Sequence, residues 1–338
     1  MPTSSDRPTL ICLTPVKNEA WILDRFLLCA STWADHIIVA DQQSEDETRT
    51  IARRYEKVQL IENPHESYHE AARQQLLIDA ARQIPSETPR ILIALDADEI
   101  LSANWMESVE WTRLCSAPPG TVLYFQWANV ASGVETGWID DDVKPFGFVD
   151  DGSPHEGTPM HSPRVPVPGH AESLHLDEIR VLHYQYANWR RMKSKQRWYQ
   201  CWERLHNPEK RPVTIYRQYH RMDPSIQNAQ PLRPEWLQGY EDRGIDMRQI
   251  DDEPVYYWDA EIFEWLRTHG TAPFRRIDIW DQDWTTVGAQ LGHNCNGELQ
   301  DPRSRSEKWV HEWLAKTQSR SYDISIRSVQ KLLQIAGW

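Results

Sequence analysis

The stretch that decides the fold is Arg90-Ile91-Leu92-Ile93-Ala94-Leu95-Asp96-Ala97-Asp98-Glu99-Ile100. Its uninterrupted apolar run is typical of a strand that is buried on both faces of a parallel sheet. The acidic residues then fall at the carboxyl edge of that sheet, where open α/β folds bind ligands. On a continuing strand, Asp96 and Asp98 point the same way and form a pair of hard oxygen ligands that suits Mg²⁺ or Mn²⁺.

The same triplet has a simpler interpretation, in which Asp98 or Glu99 only begins the helix that follows. Asp-x-Asp triplets are common by chance, so this one, taken alone, favours a helix start over a metal site. The rest of the chain therefore has to decide between the two.

Size and charge exclude several classes of protein. The chain has 338 residues and a formal net charge of -13, which opposes a general affinity for nucleic acid or anionic lipid. No apolar run approaches the length of a membrane-spanning helix, and the N-terminus lacks the form of a signal peptide. We expect a cytoplasmic protein that binds no nucleic acid, and peripheral association with a membrane through a partner stays open. No two of the five cysteines form a Cys-x-x-Cys pair. The sequence therefore indicates neither a zinc site nor a disulfide framework.

Strands and helices alternate regularly before the deciding stretch. Strands are predicted at 9–16, which reads as buried, at 37–40, which is apolar, and at 58–62. Helices are predicted at 19–30, 44–55 and 68–83, the second of them opened by a Ser44-x-x-Glu47 capping box. A helix at 105–115 and a strand at 121–127 follow. This order predicts an α/β fold with a doubly wound, mostly parallel sheet and helices on both faces.

The second half of the chain has a different pattern. Residues 128–182 are rich in Gly, Pro, His and Asp and are expected to form loops and short strands that cover a site. A basic, aromatic helix is predicted at 188–206, and residues 231–338 are Trp-rich and mostly helical in pattern. We therefore divide the chain into a domain at 1–220, with a nucleotide-binding half (1–127) and an acceptor and metal half (128–220), and a C-terminal helical region at 221–338.

Four blocks of this sequence resemble family 2 glycosyltransferases of the GT-A fold. They are residues 14–20, 33–48, 95–99 and 181–186, in the order found in that family. The second block is similar to the family's pattern of a buried strand, an Asp and then Ser-x-Asp-x-Thr. The fourth, with the basic helix after it, looks like the branch that includes lipopolysaccharide-core glucosyltransferases. Glu47 stands in place of the family's usual glycine.

The resemblance implies an inverting transfer of a hexosyl group from a nucleotide-diphosphate sugar, such as a UDP-sugar, to a glycan, lipid-linked or small-molecule acceptor. A divalent cation, Mn²⁺ or Mg²⁺, takes up the charge on the leaving diphosphate as a Lewis acid. Asp98 is implied as the direct ligand of this DXD motif, Asp96 as a metal or ribose contact, and His183 as a third ligand. Without the resemblance, a core histidine bonded to backbone is the preferred interpretation of His183.

The resemblance also implies a nucleotide-sugar site built from residues of the first two blocks and of the third helix. Asp41 could instead be a turn residue, Glu19 a helix-start residue, and Arg73 part of a solvated helix face. Lys193, Lys195 and Arg197 face either the diphosphate or an anionic acceptor, or, more simply, solvent. The implied nucleotide-sugar residues are Pro15, Asn18, Glu19, Asp41, Ser44, Arg73 and Asp96.

Inversion requires a general base at the acceptor hydroxyl. The element His155-Glu156 looks like the His-Glu element of this branch, so Glu156 is the expected base and His155 its neighbour or a second metal or phosphate contact. The rival carboxylates in the same region are Asp140, Asp141, Asp142, Asp150 and Asp151.

Two other functions stay open at this point. One is a sugar nucleotidyltransferase, which needs a Gly-rich loop with Arg and Lys after the first strand, where this chain has residues 14–19 without glycine. The other is a non-catalytic protein that binds a carbohydrate or a nucleotide sugar.

Overall fold

The computed structural model describes residues 7–64, 69–158, 162–221, 223, 227–294 and 299–338. The chain forms two compact units that interleave in the sequence. The first, here named the sheet unit, takes residues 1–187 and 230–251, and the second, the helical unit, takes residues 188–229 and 252–338. The predicted domain boundary at residue 220 does not coincide with the limits of these units and stays a prediction.

The sheet unit is built on one mixed sheet with the strand order β3-β2-β1-β4-β7-β6-β9-β5, to which β8 adds beside β6 and β10 beside β7. Pairing is parallel from β3 to β4, and β7 is antiparallel to both β4 and β6. The strands are β1 (Thr9–Val16), β2 (His36–Asp41), β3 (Val58–Glu62), β4 (Arg90–Ala94), β5 (Glu99–Leu101), β6 (Val122–Val130), β7 (Thr136–Val149), β8 (Ser173–His175), β9 (Val181–His183) and β10 (Gln230–Pro231).

Helices flank this sheet and make up most of the C-terminal part, so the predicted mixed α/β architecture with a mainly helical extension is confirmed. The sheet unit holds α1 (Ala20–Ala30), α2 (Thr48–Ala52), α3 (Glu70–Arg82), α4 (Val109–Cys115) and, from its late segment, α7 (Gln238–Glu241). The helical unit holds α5 (Trp189–His206), α6 (Pro212–Tyr219), α8 (Tyr257–His269), α9 (Trp284–Gln290), α10 (Arg305–Lys316) and α11 (Ile324–Ile335).

The parallel strands form where apolar residues run without interruption. Cys12 on β1 lies between Ile37 on β2 and Ile93 on β4, and all three are fully buried. Cys12 and Cys29 are buried thiols, as expected, and burial raises the pKa of both. Cys295 and the predicted first residue of α3, Tyr68, lie outside the described residues.

The deciding stretch is not one continuous strand, which corrects the prediction for Asp96 and Asp98. β4 ends at Ala94, and the chain turns through residues 95–98 before β5 begins at Glu99. The turn is closed at both ends, because the Asp96 amide donates to the Glu99 carboxylate (2.8 Å) and the Glu99 amide donates to the Asp96 carbonyl (2.9 Å). The alternative that Asp98 or Glu99 starts a helix is also wrong, since Glu99 starts a strand.

Residues 128–182 contain a 14-residue strand, β7, where loops and short strands were expected. Phe146 and Phe148 on this strand are buried, while Asp141 and Asp142 are exposed. Relative to β6, β7 carries extra residues at two places, and each bulge breaks the period-two alternation of a strand. The interrupted pattern explains why the sequence did not indicate it.

The predicted capping box at Ser44 is also wrong. α2 begins at Thr48 with Glu47 as its N-cap; the Glu47 side chain makes no capping hydrogen bond, and the Asp46 carboxylate accepts from the Thr48 amide (3.0 Å). In the helical unit, α5 begins as predicted, because the Asn188 side chain accepts a hydrogen bond from the Arg191 amide (2.9 Å). No helix in the described part of the chain is long and apolar enough to span a membrane.

Candidate active site

The loops after β1 and β2 are joined by the Ser-x-Asp-x-Thr element of the second block. Its three side chains accept hydrogen bonds from three consecutive amides: Ser44 from Asn18 (2.9 Å), Thr48 from Glu19 (2.8 Å) and Asp46 from Ala20 (3.0 Å). These amides stand at the start of α1, where the first N–H groups of a helix have no partner within it. The element therefore fixes the loop that carries two of the predicted nucleotide residues.

Asn18 takes part in the same network from the other side. Its backbone is left-handed (φ 55°), a conformation that Asn tolerates better than most residues. Its side-chain oxygen accepts from the Glu45 amide (2.8 Å). The Glu19 carboxylate accepts from the Trp21 indole (2.7 Å), and Pro15 is buried at the end of β1.

Asp41 ends β2 and is almost fully buried, at 1% exposure. Its carboxylate accepts a charge-assisted hydrogen bond from Arg49 on α2 and lies 3.3 Å from the Ser44 amide. The Arg49 guanidinium gives this buried carboxylate an ion-pair partner.

The turn between β4 and β5 is organised by Arg164, which the sequence did not single out. Its guanidinium bonds the Asp96 carboxylate (2.8 Å) and both oxygens of Glu99. Glu99 is fully buried and also accepts from the Trp127 indole (2.7 Å). The Arg164 guanidinium lies 5.1 Å from the centre of the Phe146 ring.

The charges of this cluster depend on one another. Burial raises the pKa of Glu99 to about 7, although the Arg164 guanidinium acts in the opposite direction and lowers that pKa. Burial would lower the pKa of Arg164, but the carboxylates of Asp96 and Glu99 outweigh it and raise that pKa instead. Arg164 thus stays a cation and neutralises the pair of carboxylates on which it sits.

Asp98 and His183, the two residues predicted to ligate one metal, lie near each other at the same turn, and their role as ligands stays a prediction. The Asp98 carboxylate lies 4.0 Å from His183 Nε2, and both residues are buried. His183 is held by the Asn129 side-chain oxygen at Nδ1 (3.0 Å), and its ring stacks on Trp127 with ring centres 4.8 Å apart. The main chain ties the two elements together, because the Tyr184 amide donates to the Asp98 carbonyl (2.7 Å).

This pair fits a divalent cation in one respect. When Nδ1–H donates to Asn129, Nε2 presents its lone pair toward the Asp98 carboxylate, and a cation satisfies both. Among the described residues, no three His, Cys, Asp or Glu side chains converge as a complete cage. Mg²⁺ and Mn²⁺ do not require one, because they commonly keep water and substrate phosphate as ligands.

A cleft of about 380 Å³ opens beside this turn within the sheet unit. It collects aromatic rings, three basic side chains and the Gln74 amide, whose buried Oε1 has no hydrogen-bond partner among the described residues. The lining residues are Glu70, Arg73, Gln74, Asp96, Trp127, Lys144, Pro145, Phe146, Ser162, Pro163 and Arg164.

The predicted base and its neighbour do not line this cleft. Glu156 is exposed, and His155 Nε2 lies 2.8 Å from the Pro163 carbonyl oxygen. Of the rival carboxylates, Asp150 pairs with Arg82 (2.8 Å) and Asp142 lies 3.8 Å from Lys144. Glu156 as the base stays a prediction.

The basic residues of α5 lie in the helical unit, where Lys193 and Arg197 face an acidic partner and Lys195 Nζ lies 5.7 Å from the centre of the Trp258 ring. Arg197 is buried and bonds both oxygens of Asp281 (2.8 Å each), and Lys193 bonds the same carboxylate (2.9 Å). These ion pairs explain the charge of Lys193 and Arg197 on the helix without a phosphate ligand.

Residues 12–110 match the family model described as Glycosyl transferase family 2. This match supports the resemblance over the first third of the chain, and similarity to the lipopolysaccharide-core branch stays a prediction. No curated protein sequence matches the chain.

Similar solved structures share only parts of this chain. Glucosyl-3-phosphoglycerate synthase from Mycobacterium tuberculosis, in complex with phosphoglyceric acid, is 17% identical over 37% of this chain and 45% of its own (TM-score 0.26). HddC from Yersinia pseudotuberculosis is 9% identical over 52% of this chain and 92% of its own (TM-score 0.32). The chain thus spans less than half the length of the first of these, and similarity at this level supports no conclusion about activity.

Proposed function

We propose that this chain is an inverting glycosyltransferase that moves a hexosyl group from a nucleotide-diphosphate sugar, with a UDP-sugar as the first choice, to an acceptor hydroxyl. The observation that carries the proposal is the approach of Asp98 and His183 to 4.0 Å at the turn that also places Asp96 in the cleft. The two residues belong to separate blocks of the family pattern, and a core histidine does not require a buried carboxylate opposite its second nitrogen.

Asp98 and His183 would hold Mn²⁺ or Mg²⁺, with Asp96 next to them. The bound cation supplies Lewis-acid stabilisation of the charge that develops on the leaving diphosphate. Arg73 and Lys144 also line the cleft and would neutralise further phosphate charge. Arg164 lines the same cleft, but its charge is already balanced by the carboxylates of Asp96 and Glu99.

The rest of the cleft suits the uncharged parts of a nucleotide sugar. Trp127 and Phe146 offer apolar surface to a sugar ring or a base. The orphan Oε1 of Gln74 accepts a hydrogen bond from a ligand hydroxyl or N–H, which removes the cost of leaving that oxygen buried and unpaired.

Glu156 is the proposed base, and it takes the proton of the acceptor hydroxyl as the new glycosidic bond forms. The acceptor itself is a glycan, a lipid-linked sugar or a small molecule. Glu156→Gln should remove transfer while donor binding persists. If Glu156→Gln transfers the sugar as fast as the wild type, another carboxylate is the base, and the proposed donor site is unaffected.

The proposal is tested by the turnover of a panel of UDP-, GDP- and CDP-sugars with and without Mn²⁺. We expect hydrolysis or transfer from one nucleotide class, and at least about a hundredfold loss in Asp98→Asn. Asp79→Asn is the matched control, because Asp79 is an exposed residue of α3 that bonds Gln75 (2.7 Å). Turnover of no sugar nucleotide, or equal turnover in Asp98→Asn and the wild type, would contradict the proposal.

A further inference from the structure

A second cleft, of about 480 Å³, lies in the helical unit. It lies at the meeting of α6, the 3₁₀ turn Gln318–Arg320 and α11. Among the described residues its lining holds three arginines, two serines, a tyrosine and two glutamines but no carboxylate: Arg217, Arg221, Gln318, Ser319, Ser321, Tyr322, Arg327 and Gln330. In a chain with a net charge of -13, three arginines with no acid among the lining residues that the structure describes form a distinct positive site.

Arg217 forms the inner wall of this cleft and is surrounded by neutral acceptors. Its guanidinium donates to the Leu314 carbonyl (2.8 Å), to Gln318 Oε1 (2.9 Å) and to Thr317 Oγ1 (2.7 Å). Within the described part of the chain it has no ion pair, and its burial lowers its pKa. Four neutral neighbours, counting the Gln330 amide 2.8 Å from Nε, fix its position but leave its charge uncompensated.

The outer wall carries two guanidinium groups that are exposed. Arg221 and Arg327 form no ion pair with any carboxylate that the structure describes. Arg320, between them in sequence, differs because its guanidinium bonds Asp323 (2.8 Å). The cleft thus combines one positive charge held by neutral acceptors with two exposed ones, next to hydroxyl donors at Ser319, Ser321 and Tyr322.

We infer that this cleft is a binding site for a phosphate-bearing anion. Three guanidinium groups match the charge of a phosphomonoester or a diphosphate better than that of one carboxylate, and their planar forks bond phosphate oxygens in pairs. Arg217 would supply charge, because its N–H groups are already used, and Arg221 and Arg327 would close onto the ligand. This inference is independent of the proposed transfer reaction.

The phosphate group can belong to a soluble molecule or to a lipid headgroup. Tyr322 and Ile324 are exposed at 80% and 85%, and they adjoin the cleft in sequence at the start of α11. When the phosphate belongs to a lipid headgroup, exposed apolar residues beside its site can insert into the bilayer. A soluble phosphate does not need such residues. The experiment therefore has one arm for each source.

In the first arm, pyrophosphate is titrated into the full chain in metal-free buffer by calorimetry. The test variant is Arg221→Gln combined with Arg327→Gln, and the control is Arg320→Gln, an equally exposed arginine that already has an acidic partner. Both substitutions are at exposed side chains, so the melting temperature without ligand should not change. We expect wild type and control to bind alike and the double variant to bind at least about tenfold more weakly.

In the second arm, the same three proteins are sedimented with phosphatidylcholine vesicles that contain or lack phosphatidic acid. Binding that requires phosphatidic acid and is lost in the double variant assigns the site to a headgroup. Pyrophosphate binding without vesicle binding assigns it to a soluble ligand. Equal affinity of wild type and double variant for the anions, or no binding of either anion by the wild type, would overturn the inference.

Discussion

Arg164 neutralises two carboxylates that would otherwise repel each other at the turn between β4 and β5. Glu99 is fully buried, and a buried carboxylate without a partner is far more costly than a surface one. The Trp127 indole and the Asp96 amide complete the hydrogen bonds of Glu99, so the cluster is satisfied as a unit. The turn that presents Asp96 and Asp98 thus depends on a residue distant in the sequence.

Arg164→Gln should lower the free energy of unfolding by about 3 kcal/mol at neutral pH, because buried Glu99 loses its cationic partner and must either take up a proton or stay charged without one. The double variant with Glu99→Gln should recover part of that loss, since both charges are then removed. Urea denaturation of wild type, both single variants and the double variant measures the coupling. Arg248→Gln, which breaks an exposed pair with Glu241, is the control and should cost less than about 1 kcal/mol. Additive effects of Arg164→Gln and Glu99→Gln would contradict the account of this cluster.

The acidic residues of this cluster were visible in the sequence, but their partner was not. A buried strand followed by Asp96 and Asp98 is a local pattern, and it predicted the strand β4 but not the turn after it. Arg164 lies in a segment without periodicity, and nothing local distinguishes it from a solvated arginine. A buried acidic residue such as Glu99 does indicate that some cation must be found, without indicating which.

Between elements, the Ser-x-Asp-x-Thr sequence joins the loop after β2 to the start of α1. Thr48 is fully buried, and its hydroxyl is the acceptor for the Glu19 amide. Loss of that acceptor leaves an N–H group without a partner at a helix start, where none is available within the helix. The conformation of Asn18 and Glu19 therefore depends on side chains of another element.

Thr48→Val keeps the shape of the side chain and removes the acceptor. It should lower the free energy of unfolding by about 1–3 kcal/mol, measured by urea denaturation. Thr50→Val is the matched control, because Thr50 is an exposed residue of the same helix, and it should change that free energy by less than about 0.5 kcal/mol. Equal costs for the two substitutions would show that the hydroxyl of Thr48 has no special role.

A carboxylate at the start of α10 makes the stability of the helical unit depend on pH. Ser304 and Glu307 form a capping box, and Arg275 bonds the Glu307 carboxylate (2.8 Å). Burial works to raise the pKa of Glu307, but the Ser304 amide and the Arg275 guanidinium outweigh it and lower that pKa from 4.5 to about 2. A folded-state pKa below the unfolded value stabilises the fold above pH 4.5, and this stabilisation is lost as the pH falls toward 2.

Glu307→Gln keeps the capping geometry and removes the charge, so it should cost about 1 kcal/mol at pH 7. The difference from wild type should shrink as the pH falls from 4.5 toward 2, where the carboxylate of the folded wild type becomes protonated. Urea denaturation of wild type and Glu307→Gln at three pH values measures this difference in the free energy of unfolding. Glu312→Gln, at an exposed position of the same helix, should show no such trend. A difference that stays constant with pH would contradict the role of this charge.

Elements with regular patterns were predicted well, and those with interrupted patterns were not. The apolar residues of β1, β2 and β3 and the basic, aromatic pattern of α5 are local signals, and each element lies where its signal predicted. β7 was missed because its bulges break the alternation, and the helix start at Ser44 was misplaced because that hydroxyl bonds another loop. In both cases tertiary contacts override the local pattern.

At the scale of the whole molecule, we propose that the two units bind different ligands, each in its own cleft. The cleft beside Asp96 is lined by residues of the sheet unit, and the arginine cleft by residues of the helical unit. A nucleoside diphosphate with Mn²⁺ should slow amide hydrogen exchange around residues 70–74, 96–99 and 144–146. Pyrophosphate in metal-free buffer should slow it around 217–221 and 317–330. Protection by both ligands at the same segments would contradict this assignment.

The most direct test of the proposed donor site is the affinity of the chain for UDP, measured by calorimetry with and without Mn²⁺ in wild type, Asp98→Asn and Asp79→Asn. We predict UDP binding that Mn²⁺ strengthens by at least about tenfold in wild type and in Asp79→Asn, and no effect of Mn²⁺ in Asp98→Asn. GDP and CDP in parallel identify the base. If no nucleoside diphosphate binds, or if Mn²⁺ strengthens binding equally in Asp98→Asn, the cleft beside Asp98 and His183 is not a metal-dependent nucleotide-sugar site.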